Sequence, residues 1–144
     1  MAVWLLSRPS PFWTGTPLGS SQITVIGWSR PSQSRDVAVP SVSLADLRRV
    51  GPAAAVQGVL DALPPDAALL LHLDIDVFAA AALPAAYFPH AEGLTLSEGA
   101  ALLKTILADP RVRLVKVSEY ATLRDLDRRR VGELTDILVG ALGR

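Results

Sequence analysis

The sequence contains no cysteine. That excludes disulfide frameworks, thiolate zinc sites, iron–sulfur clusters and thiol nucleophiles, and it fits a reducing compartment such as the cytoplasm. There is no excess of either charge, because fourteen Lys and Arg residues balance fourteen Asp and Glu residues. Nothing therefore drives binding to a nucleic-acid backbone or an anionic membrane surface. Apolar residues make up 50% of the chain and the mean hydropathy is +0.34, yet no uninterrupted apolar stretch reaches the ~18 residues of a membrane span. The apolar start, Met1–Leu6, has no positive leader and is too short for a signal-peptide core, so it reads as part of the fold. Gly15, Gly19 and Gly27 do not match a dinucleotide or phosphate-loop fingerprint, so a nucleotide cofactor is not indicated.

What is present is the material of one α/β unit. A chain of 144 residues is the size of one ordinary domain. Ile23–Trp28 is a short β-rich run closed by the breaker cluster Ser29-Arg30-Pro31-Ser32. Ser43 caps a short helix that ends at Gly51-Pro52, and Ala53–Leu63 repeats apolar residues at helical spacing until Pro64-Pro65 stops it. Ala67–Asp76 is a nearly continuous apolar run that turns acidic at its end, the pattern of a strand covered on both faces. A long connection, Ala79–Gly93, follows; ordered connections of that length without secondary structure of their own are usually functional. Thr95-Leu96-Ser97-Glu98 caps a helix to about Ala108, Arg111–Val117 is another strand, and a charged helix over about Leu123–Leu142 completes the chain. Strands separated by helices cannot be hairpins, so the expected fold is a three-layer αβα arrangement around a parallel sheet of about three to four strands.

The acidic strand end carries the chemistry. In open α/β sheets, ligands sit beyond the carboxyl ends of the strands, where Asp74, Asp76 and Glu119 fall in this reading. Asp74 and Asp76 are two residues apart, so on a strand they project to the same side. Such a cluster needs a metal, a shared proton or a cationic ligand; hard oxygen donors favour Mg²⁺ or Mn²⁺, and hydrolysis is the natural reaction class. The alternative is that the two aspartates cap the next segment and face water. His72 shares their alternation but lies deeper in the apolar strand, which suits a buried, hydrogen-bonded imidazole. His90 sits in a loop where it either meets substrate or is solvated. These are the only two histidines, and neither stands beside a nucleophile elbow, so a Ser-His-Asp triad lacks support. Arg128-Arg129-Arg130 reads as a solvated or subunit-facing surface.

Three segments together, Leu71-His72-Leu73-Asp74-Ile75-Asp76-Val77-Phe78, Glu92-Gly93-Leu94-Thr95 and Val117-Ser118-Glu119-Tyr120, resemble the arginase/agmatinase/formimidoylglutamase superfamily, the ureohydrolases, in order and spacing. The resemblance implies that Asp74 bridges two manganese ions, that Asp76 chelates one of them, and that Glu119 orients a cationic guanidine or amidine group. It further implies an Mn²⁺-dependent hydrolase of linear amidine or guanidine carbon–nitrogen bonds. Gln22–Arg30 resembles the family's V-x-x-x-G-x-R strand, and Met1–Leu6 resembles the helix that follows its H-G segment.

The same resemblance implies departures. The family is about twice as long, and its first half carries further ligands in a D-A-H-x-D segment, so residues 1–144 correspond to its C-terminal half. The family's D-x-D-x-x-D-P becomes a sequence with Ala79-Ala80 in the last two places, and its G-G-L becomes Glu92-Gly93-Leu94. Two carboxylates from one strand cannot fill the shells of two six-coordinate ions, so at most one ion would be held. An uncovered strand edge and helix faces would promote self-association or a homo-oligomer. Two other readings stand beside the hydrolase: a non-catalytic remnant that serves metal binding or association, and a haloacid-dehalogenase-like phosphatase with Asp74 as nucleophile and Asp76 as acid/base.

Overall fold

The computed structural model describes residues 3–9, 20–28 and 39–143. Its strands are β1 (Val3–Pro9), β2 (Ile23–Trp28), β3 (Ser41–Ser43), β4 (Ala67–Asp74) and β5 (Val112–Ser118). Its helices are α1 (Leu44–Val50), α2 (Pro52–Ala62), α3 (Leu96–Ala108) and α4 (Arg129–Ala141). The five strands form one sheet in the order β3-β2-β1-β4-β5, with the helices packed against it, which makes the fold α/β.

β4 runs through the core. Ala67, Leu69, Leu71 and Leu73 are buried, while Ala68, Leu70, His72 and Asp74 on the opposite face are half-buried. Burying each leucine contributes about 1.5–3 kcal/mol. β4 and β5 are parallel, with Leu71 beside Val115 and Asp74 beside Ser118. Parallel neighbours need a crossover, and α3 supplies it. The helices form one layer in which α1 packs on α2, α2 on α3 and α3 on α4. That layer covers the sheet face carrying Leu5, Ile26, Leu69, Leu71 and Leu73.

The sheet departs from the all-parallel expectation of three to four strands. It has five, and β1 runs antiparallel to both β2 and β4. The resemblance would make Met1–Leu6 helical, but Val3–Pro9 is a strand; Met1 and Ala2 lie outside the described residues. The physical reason is the place this segment occupies. Between two strands, both edges of its backbone are hydrogen-bonded, and Val3 and Trp4 are residue types enriched in strands.

Local chemistry sets the other boundaries. Ser43 accepts the N–H of Asp46 at 3.0 Å and starts α1, and Pro52 opens α2. Thr95 and Glu98 form a capping box at the head of α3. Arg111, paired with Asp109, donates to the carbonyls of Leu60 (2.8 Å), Leu63 (3.1 Å) and Pro64 (2.9 Å), tying the end of α2 to the start of β5. The last helix begins at Arg129, later than the expected Leu123. Residues Thr122–Arg124 form a 3-10 turn instead, and the Asp125 carboxylate accepts the N–H groups of Arg130 and Val131, which starts the helix after it. Among the described residues, no helix is long and apolar enough to cross a membrane.

Candidate functional site

The carboxyl ends of β4 and β5 lie side by side, and the three carboxylates singled out in the sequence occur there. Asp74 closes β4, and its Oδ1 accepts the N–H of Asp76 at 3.0 Å. That bond bends the chain into a 3-10 turn over Ile75–Val77, so Asp76 has left the strand and does not sit on the same pleat face as Asp74. The pair is brought together by a turn rather than by the strand alternation that the spacing suggests. Asp76 is only 3% exposed, and its Oδ1 accepts the N–H of Phe88 at 3.0 Å. Burial pushes the Asp74 carboxyl above the usual range, and the neighbouring Asp76 charge adds to this.

Glu119 directly follows β5. It is exposed, and its φ of 64° lies in the left-handed region, unusual for a non-glycine residue. Its carbonyl accepts the N–H of Tyr87 at 2.7 Å. Consecutive residues of the Ala79–Gly93 connection therefore reach the two strand ends: Phe88 is bonded to Asp76, and Tyr87 to Glu119. The connection is well ordered by pairing of its own. Phe78 bridges to Leu94 and Ala79 to His90, and the N–H of Ala80 donates to the carbonyl of His90 at 2.7 Å. Gly93 is required by close approach, because a Cβ there would lie 2.4 Å from the backbone nitrogen of Ala79.

His72 hydrogen-bonds through Nε2 to the Ser118 hydroxyl at 2.7 Å, across the β4–β5 ladder. Burial pushes its pKa down, and nearby Lys116 adds to the effect. This is the hydrogen-bonded imidazole that its depth in the strand suggests. His90 is placed by its backbone pairing with Ala79 and Ala80. Of the basic run, Arg129 and Arg130 both pair with Glu133. Beyond Glu119, the Tyr120 hydroxyl donates to Asp125. Burial first and Asp125 second push that phenol up to about 12. Burial alone would raise Asp125, but the Tyr120 hydroxyl and the backbone N–H groups of Arg130 and Val131 outweigh it and hold the carboxyl at about 2. A hollow of about 520 Å³ lies here, lined by Tyr120, Leu123, Leu126 and Val131 among others, and none of the three rim carboxylates lines it.

Two features of the rim were not evident from the residue pattern. Ser118 is the partner of His72, and Tyr87 and Phe88 are exposed on the loop that joins the strand ends. The available signal was an aromatic pair inside a proline-bracketed segment, Pro84–Pro89.

The donors at the rim are of the hard, oxygen type that suits Mn²⁺. Their number falls short: among the described residues, no group of three or more His, Asp or Glu side chains is placed to hold a metal ion. Asp74 and Asp76 offer two carboxylates, each with one oxygen already accepting a backbone N–H. They do not make a dinuclear centre by themselves.

Comparison with known proteins gives a consistent picture. The model of the arginase family matches residues 8–142. Arginase from Bacillus caldovelox superposes with a TM-score of 0.75 at 17% identity, over 87% of this chain and 44% of that one. Arginase from Bacillus cereus gives 0.74 at 19% identity, over 87% and 45%. Formiminoglutamase from Trypanosoma cruzi, solved with Mn²⁺, gives 0.64 at 19% identity, over 77% and 37%. The chain thus spans less than half the length of these solved structures. No curated protein matches it significantly.

Proposed function

This chain belongs to the arginase family, and we propose that it serves the hydrolysis of a guanidine or amidine carbon–nitrogen bond. In that reading Asp74 and Asp76 are metal ligands and Glu119 orients the cationic group of the substrate. For an alkylguanidinium the balance is R–NH–C(NH₂)₂⁺ plus water giving R–NH₃⁺ plus urea. The observation that carries the reading is the meeting of the three family segments at one rim. The Asp74–Asp76 turn and the Glu119 strand end are joined through Phe88 and Tyr87. The exposed, negatively charged Glu119 suits a planar cation, which a carboxylate can hold by paired hydrogen bonds.

One observation favours a second reading. Among the described residues no group of three or more His, Asp or Glu side chains is arranged to hold a metal ion, which suits a non-catalytic member that associates through this fold. The family match leaves no support for the phosphatase alternative. The deciding experiment incubates the purified chain with Mn²⁺ and a panel of arginine, agmatine and formimidoylglutamate, and follows release of urea, or of formamide from the last. The hydrolase reading expects turnover that a chelator abolishes and that Asp74→Asn and Asp76→Asn each remove. No turnover, with less than one Mn²⁺ bound per chain in calorimetry, would overturn it in favour of the non-catalytic reading.

A further inference from the structure

Tyr87 and Phe88 are the most conspicuous apolar side chains near the rim. They are 55% and 60% exposed, and their rings pack edge to face at a centroid distance of 5.0 Å and an interplanar angle of 70°. Rings of this size ordinarily dominate a core, and here two adjacent ones are left largely in water. Their backbone is not loose. Ala85 accepts the N–H of Ala121 (2.8 Å), Ala86 accepts from Arg124 (2.9 Å), Tyr87 donates to Glu119 (2.7 Å) and Phe88 donates to Asp76 (3.0 Å). The side chains of Ala85 and Ala86 are fully buried. Four consecutive residues are therefore anchored, the two small ones pointing into the core and the two large ones left outside it.

We propose that Tyr87 and Phe88 form an aromatic wall beside the carboxylate rim, selecting an organic cation whose guanidinium or amidinium group is attached to an aromatic or bulky apolar body. The proposal rests on the preceding reading that the rim receives such a cation. Charge and shape point the same way. Asp74, Asp76 and Glu119 make the rim acidic, while the nearby Arg124 is held by the Ala86 carbonyl and Lys116 lies on β5 opposite His72. A cation drawn to Glu119 would have its apolar body next to two rings fixed to the same strand ends, and ring faces also attract cations directly. A purely aliphatic amino-acid substrate would leave that wall unused.

The test is calorimetric titration of the full chain with phenethylguanidinium, methylguanidinium and the neutral phenethylurea. The expected result is that phenethylguanidinium binds about 10-fold more tightly than methylguanidinium, the order of effect for ring–cation and ring–body contacts, and that phenethylurea does not bind. In the Tyr87→Ala/Phe88→Ala variant, shown to be folded by circular dichroism, the ratio between the two guanidinium ions should fall towards one. Glu119→Gln should weaken both ions together. An unchanged ratio in the double variant would overturn the proposal. So would a concentration-dependent self-association that the double variant abolishes, since the rings would then be a contact between copies. Aryl-guanidinium binding with this dependence but no turnover would remove the hydrolase reading and leave the wall; turnover without aryl preference would do the reverse.

Discussion

Two glycines inside helices should respond to the same substitution with opposite signs. Gly58 lies in α2, and a Cβ added there would meet nothing within 4 Å. Alanine at that position gains helix propensity alone, about 0.5–1 kcal/mol. Gly99 lies in the first turns of α3 and is buried. A Cβ there would stand 2.3 Å from Cε1 and 2.6 Å from Cζ of Phe78, where ordinary contact begins at 3.4 Å. The Phe78 ring is completely buried, so it cannot swing into solvent and must push its neighbours aside. Overpacking of this kind costs about 1–3 kcal/mol, and this overlap belongs at the upper end. Set against the same propensity gain, Gly99→Ala should lose about 1–2 kcal/mol net.

The assay is thermal and urea unfolding of the two variants beside the parent chain. At about 4 °C per kcal/mol for a chain of this size, Gly58→Ala should raise Tm by about 3 °C and Gly99→Ala should lower it by about 4–8 °C. Adding Phe78→Leu to Gly99→Ala removes the ring atoms that collide, so the pair should show a favourable coupling of about 1 kcal/mol. If Gly99→Ala stabilises as much as Gly58→Ala, or if the double variant is merely additive, the packing of Phe78 against α3 is not as described. The consequence reaches the rim. Phe78 heads the connection that carries Tyr87 and Phe88, and Leu94 bonds to both Val77 and Ala79 beside it. Displacing the ring should therefore also weaken guanidinium binding.

Arg111→Ala should cost about 2–3 kcal/mol in urea unfolding, the range for losing hydrogen bonds to a charged donor, because three carbonyls at the end of α2 lose their partner. Arg111→Lys should recover only part of it, since an ammonium cannot span the same carbonyls; full recovery would refute the role. The Arg48 guanidinium, helped by the Thr95 N–H, holds Glu98 far below its ordinary 4.5, at about 2. A folded pKa below the unfolded one means a contribution fully present above about pH 4.5 and lost as the pH falls towards 2. Glu98→Gln should accordingly flatten the fall in urea midpoint between those pH values, and an equally steep fall in the variant would refute it.

How much of this could be read from the residues depends on how far each feature reaches along the chain. The capping box at Thr95 and Glu98 is local chemistry over three residues, and the head of α3 was legible to within one position. β4 was legible because its apolar run is long, although the strand closes at Asp74, two residues before the expected Asp76. β1 was not: its place between β2 and β4 is decided by pairing with residues some twenty to seventy positions away, and nothing in Val3–Pro9 states a direction. The head of α4 failed for a related reason, since Asp125 reaches forward to Arg130 and Val131, past a basic run that looks helical throughout.

The rim divides along the same line. Its carboxylates were visible as residue types at strand ends, so the chemistry was legible before the geometry. The bond from Asp76 to Asp74 is short-range, and it explains why an i, i+2 pair leaves the pleat: a strand-end aspartate that accepts the N–H two residues on converts alternation into a turn. The contacts that assemble the site are not short-range. Asp76 meets Phe88 across the whole first half of the connection, and Tyr87 meets Glu119 across α3 and β5. Only when those two bonds are made do adjacent residues of one loop touch both strand ends. An aromatic pair that looked like ordinary loop sequence is then tied through its backbone to the Asp76 carboxylate and to the main chain at Glu119. A change that breaks either bond should move the rings and the carboxylates together, which separates a built site from three acids that happen to share a sheet edge.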